Sequence, residues 1–100
     1  MEIFRGDTFY KKFSPNGYVM QNGDIIRLAI LESTLAEEPI YKKEITITEQ
    51  RENVILEIPK SDMEKLPTGM LVLEIELTYG GGLVRTQQYE LDVKVDGIHG

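Results

Sequence analysis

Hydrophobic and polar residues alternate with period two along most of this chain, most clearly from Met70 to Tyr79. There Leu71, Leu73, Ile75, Leu77 and Tyr79 take turns with Glu74, Glu76 and Thr78, the pattern of a strand with one buried face. Tyr89, Leu91, Val93 and Val95 alternate in the same way with Gln88, Glu90, Asp92, Lys94 and Asp96, which predicts a partner strand. Between the two lies Gly80-Gly81-Gly82, and glycine supplies the positive φ angles of a tight reversal. Buried positions are odd-numbered on both strands, so opposed residues have an even sum and the loop has an odd length. A loop of the three glycines meets this condition and sets Leu73 opposite Tyr89 and Leu71 opposite Leu91.

Earlier segments follow the same pattern: Thr8 to Phe13 with Phe9 and Phe13 inward, Tyr18 to Gln21, Asp24 to Leu31, Ile40 to Thr48, and Asn53 to Ile58. Pro15-Asn16-Gly17 and Asn22-Gly23 fall between them, the second a type I′ hairpin signal. Glu32 to Pro39 and Glu49 to Glu52 read as polar connections. Ser61 with Glu64 three residues on forms a capping box for one short helical turn, which Pro67 ends. About seven short strands with one helical turn predict an all-β, immunoglobulin-like two-sheet sandwich, a single domain over residues 1–100.

A chain of 100 residues with 41% hydrophobic and 28% charged residues can bury one core without metal or disulfide support. The net charge of −6 argues against nucleic acid, whose binders need a basic face. In neither Lys11-Lys12 nor Lys42-Lys43 do both side chains share a face, and both pairs read as solvated surface. No cysteine is present, which excludes disulfides and thiolate chemistry. No run of roughly 18 apolar residues exists to span a membrane. The N-terminus lacks the basic start and apolar stretch of a secretory signal, so the expectation is a chain kept in the cytoplasm during assembly rather than secreted.

Chemistry-bearing groups are sparse. Arg5-Gly6-Asp7 spells an integrin tripeptide, but a glycine bend between two N-terminal strand segments, with Asp7 bonding nearby amides, accounts for it better. Glu74, Glu76, Glu90 and Asp92 share one strand face and could hold calcium or form an acid/base pair. Gln88 opposite Glu74, and Lys94 on the same face, favour a solvated outer surface instead. His99 is penultimate and flanked by glycines, and Ser14, Ser33 and Ser61 lie in no nucleophile-elbow context. The glycine triplet joins two strands rather than a strand and a helix, so it is no phosphate cradle. These features predict no enzyme, no cofactor, no metal and no small-molecule substrate.

Arg5-Gly6-Asp7-Thr8 followed by an aromatic-rich strand resembles the opening of the immunoglobulin-like N-terminal domain of phage baseplate upper proteins. Ile58-Pro59 to Ser61-Asp62, then Leu66-Pro67 to Gly69, the long strand, a glycine hairpin and a last alternating strand, look like that family's later half. The resemblance covers nearly all of the chain. It implies a virion or prophage structural module that packs with other tail or baseplate proteins. In that family the domain usually precedes a longer chain, whereas this sequence ends at Gly100, so the attachment role is not carried over. A rival reading is a carbohydrate- or surface-recognition sandwich with Tyr10, Tyr18 and Tyr41 as stacking platforms. A small metal-dependent enzyme built on the four carboxylates is a third.

Some positions break the polar outer faces. Ile26, Leu28 and Ile30 fill one face of their strand, yet Ile25, Ala29 and Leu31 make the other apolar too, and Met70 and Val72 do the same on theirs. Apolar groups on a face left to water mark interaction sites. Ile25, Ala29, Leu31, Met70 and Val72 are therefore the candidate assembly interface, for self-association or another particle protein. The competing explanations are that the Glu32 to Pro39 loop folds over Leu31, or that the outer apolar residues are scattered singly and carry no role.

Overall fold

The structure is a computed structural model that describes residues 1–95. Seven strands form two sheets: β1 (Glu2–Phe4), β2 (Phe9–Phe13), β3 (Ile25–Leu31), β4 (Tyr41–Thr46), β5 (Val54–Ile58), β6 (Gly69–Tyr79) and β7 (Leu83–Lys94). One short helix, α1 (Lys60–Met63), connects β5 to β6. The larger sheet runs β1-β7-β6-β3-β4, and β2 pairs with β5 in the smaller one. β7-β6-β3-β4 and β2-β5 reproduce the G-F-C-C′ and B-E order of an immunoglobulin-like sandwich. β1 lies parallel to the end of β7.

The expected hairpin forms in its expected register, with Leu73 opposite Tyr89 and Leu71 opposite Leu91. All three loop glycines have positive φ, from 56° to 125°, which side chains with a Cβ adopt only under strain. The core lies between the sheets. Phe9, Phe13, Val54, Leu56 and Ile58 from the smaller sheet meet Ile26, Leu28, Ile30, Leu71, Leu73, Ile75, Leu77, Leu91 and Val93 from the larger. Met63 and Leu66 close one end, so α1 is held by burial rather than by a side-chain cap.

Four local expectations are corrected. Tyr18 to Gln21 is not a strand; only Met20 forms an isolated bridge, to Arg51, and β1 supplies the seventh strand instead. Asn22-Gly23 does not make a type I′ turn, because only Gly23 has positive φ and that turn needs two such residues. The chain reverses through a bond from Asp24 N–H to Gln21 O, with Gly23 at the third position as in a type II turn. Ser61 is inside α1, whose N-cap is Pro59; Pro59 O accepts from the amides of both Asp62 and Met63. Val95 falls beyond β7 and is exposed. Asp96 and His99 lie outside the described residues.

Candidate functional surface

Because side chains alternate across each strand, the register fixes who stands beside whom on the outer face of the larger sheet. Val72 lies between Leu31 and Glu90, Glu74 between Ala29 and Gln88, Glu76 between Arg27 and Thr86, and Thr78 between Ile25 and Val84. On the far side of β3, Arg27 meets Glu44 and Ala29 meets Lys42. The four carboxylates considered for calcium are thus spread over four successive rows. Arg27 bridges two carboxylates, at 3.3 Å from Glu44 and 3.6 Å from Glu76. Gln88 Nε2 donates to Glu74 Oε2 at 2.8 Å. Lys94 lies 3.0 Å from Asp92, whose accepted hydrogen bond and charge raise the ammonium pKa. Among the described residues, no three His, Cys, Asp or Glu side chains group around a common point that could hold an ion.

The five apolar positions of the candidate interface differ in what covers them. Ala29 and Leu31 are only 7% and 8% exposed. They floor a cleft of about 550 Å³ whose opposite wall is Thr34, Ala36, Glu37 and Pro39 of the connection after β3. That connection is turned by Ala36 N–H donating to Ser33 O and Leu35 N–H to Ser33 Oγ. Ile25 and Val72 are half-buried, and Met70 is 56% exposed. The sequence reading missed Val84, which shares the row of Ile25 and is also 56% exposed. Its signal was its even number in β7, which puts it on the outward face.

The three tyrosines proposed as stacking platforms part company. Tyr10 stands 62% exposed. Tyr18 instead packs on Tyr79, with ring centroids 4.4 Å apart, and its hydroxyl donates to Asp24 Oδ2 at 2.6 Å. That bond, then burial and the Asp24 charge, push the Tyr18 phenol up to about 12. Asp24 is itself buried and also accepts from Gln21 N–H at 2.8 Å, so it ties the turn to the ring. Tyr41 donates to Asp62 Oδ2 at 2.9 Å. Burial first, then that bond, push its phenol up to about 12. Neither Tyr18 nor Tyr41 presents a free ring face comparable to that of Tyr10.

The lysine pairs are more than solvated surface. Lys11 lies on the inner side of β2 with its Nζ 4.4 Å from the Tyr89 ring centroid, a cation–π contact. Lys43 reaches across the gap between sheets and donates to Glu57 O on β5 at 2.9 Å. One residue of each pair therefore seals an open side of the sandwich, its aliphatic stem over the core and its charge at the rim. In the integrin-like tripeptide, Arg5 N–H donates to Lys94 O and its guanidinium to Leu66 O. The bend closes through Asp7 N–H to Phe4 O, a backbone bond rather than the expected carboxylate cap.

Compared with family models, with curated proteins and with solved structures, the chain matches none.

Proposed function

We propose that the chain is a non-enzymatic structural and assembly module of a phage or prophage tail or baseplate. One observation carries the assembly part. Arg27 is tied to Glu44 and Glu76, and Glu74 to Gln88, on the outer sheet face, while Met70 at one end and Val84 at the other are left open. Open apolar groups gain free energy when another protein covers them. The particle assignment rests on the resemblance of the Arg5 to Thr8 and Ile58 to Gly69 motifs. Partners are a second copy or other tail and baseplate proteins, met in the cytoplasm during assembly and kept in the virion. Mass spectrometry of tail particles purified from cells carrying the gene tests this. The chain is expected at a fixed ratio to the other particle proteins, and particles that lack it contradict the proposal.

Exposed Tyr10 favours a second reading, recognition of a carbohydrate surface by ring stacking. A glycan array should then show saturable binding that Tyr10→Ala abolishes. An array without a saturable ligand removes this reading.

A further inference from the structure

β7 is paired along its whole length on only one side. β6 flanks it from Leu83 to Val93, whereas β1 pairs only with Asp92, Val93 and Lys94. Asp92 N–H donates to Met1 O, and Lys94 O accepts from Arg5 N–H, so even-numbered backbone groups of β7 point away from β6. Among the described residues, nothing pairs with the outward N–H and C=O groups of Val84, Thr86, Gln88 and Glu90. An unpaired run of this kind is a template for another strand.

The other free edges are guarded. β1 has three residues; β2 carries Lys11-Lys12 and β4 carries Lys42-Lys43. β5 has its outward Glu57 carbonyl occupied by Lys43 and is followed by Pro59. Short length, lysine and proline are the devices that keep edges from pairing. The stretch Leu-Val-Arg-Thr-Gln-Gln-Tyr-Glu from Leu83 to Glu90 has no lysine or proline and is long, and its one inward charge, Arg85, is tied within its own chain to Asn16 O and the Tyr79 ring.

We infer that this edge pairs with the same edge of a second copy, antiparallel about a two-fold axis at Gln87. The free lane is bounded by the glycine turn at one end and by β1 at the other, so a partner strand must end where the lane ends. Centring on Gln87 brings all four outward-pointing residues of each copy into use: Val84 with Glu90 of the other copy, and Thr86 with Gln88. Antiparallel alignment sets Arg85 beside Tyr89 of the other copy, whereas a parallel one in register would set Arg85 beside Arg85. The result is a continuous sheet of β4-β3-β6-β7 from each copy. This deepens the assembly reading by assigning the contact; its failure would leave the particle association standing, to be met by an unlike protein.

In this register the two copies of residue 87 form a non-hydrogen-bonded pair, with Cα atoms about 4.5 Å apart, within disulfide reach. The native chain has no cysteine, so Gln87→Cys in the full chain is a clean probe. Under mild oxidation it should yield a covalent dimer. Gln88→Cys, whose partner is Thr86, should remain uncross-linked under the same conditions. Sedimentation of the cysteine-free parent should show concentration-dependent dimers. Thr86→Pro removes an outward N–H without touching the ladder to β6, and should raise the dissociation constant at least tenfold while the melting temperature of the monomer stays near that of the parent. Parent protein that is monomeric at the highest concentration reached, or equal cross-linking at residues 87 and 88, overturns the inference even if Thr86→Pro fails to fold.

Discussion

β6 and β7 share one phase, with odd-numbered residues turned to the smaller sheet, yet they end in different environments. Leu71, Leu73, Ile75 and Leu77 of β6 are all buried, while on the same face of β7 only Leu91 and Val93 are. Tyr89, Gln87 and Arg85 are half-buried and Leu83 is 60% exposed. The difference comes from what lies beneath and beside. β6 sits between β3 and β7. In the same rows, Ile75 and Leu77 of β6 are fully buried while Gln87 and Arg85 of β7 are only half-buried. On this lateral strand Arg85 turns to Asn16 O at 2.7 Å and to the Tyr79 ring. Alternation tells which face a residue takes; the strand's place across the sheet, central for β6 and lateral for β7, decides how deep that face is buried.

The sharpest way to break this comparison is to truncate one leucine in each strand. Leu73→Ala should cost about 2–5 kcal/mol through lost burial and a residual cavity, and Leu83→Ala less than about 0.5 kcal/mol, by chemical denaturation. Equal losses would mean that the two strands are covered alike. Next in size, Asp24→Ala should cost about 1–3 kcal/mol, because a buried carboxylate with two accepted bonds is lost.

At alkaline pH the sign follows from the raised phenol pKa values. A tyrosine whose folded pKa is about 12 against about 10 unfolded contributes stability that is fully present below pH ~10 and is lost as pH rises toward ~12. Ultraviolet titration of the folded chain should show two late tyrosines, Tyr18 and Tyr41, and Tyr18→Phe should remove one. Five phenols titrating together near the ordinary value would contradict the two hydrogen bonds. Smallest of all, millimolar calcium should leave the melting temperature unchanged, because Glu74, Glu76, Glu90 and Asp92 are dispersed along the sheet; an upward shift would show a site through linkage.

Where a feature depended on period and turn length, it was legible in the chain. The hairpin register followed from odd-numbered leucines and three glycines, and the inward phases of Phe9, Phe13, Ile26, Leu28 and Ile30 from simple alternation. Features that depend on distant neighbours were not. Tyr18 looked like a strand residue because nothing local reveals that its hydroxyl meets Asp24 across a turn. Ser61 had the spacing of a cap, but Pro59, lacking an N–H and followed by buried Met63, starts the helix earlier. Ile25, Ala29, Leu31, Met70 and Val72 read alike as outward apolar residues, and only the fold separates those under the Glu32 to Pro39 connection from those in the open. Lys11 and Lys43 could be placed on faces, but not at the rim of a sheet whose width the sequence leaves unstated.

The central claim is that β7 is bonded on one side only between the glycine turn and β1. Residue-resolved hydrogen exchange at a concentration where the protein is monomeric tests it most directly. The account predicts alternation along β7, with the amides of Arg85, Gln87 and Tyr89 protected and those of Val84, Thr86, Gln88 and Glu90 exchanging fast, against unbroken protection from Val72 to Thr78 in β6. Uniform protection along β7 in the monomer would show that the chain itself fills the lane, and would contradict the account.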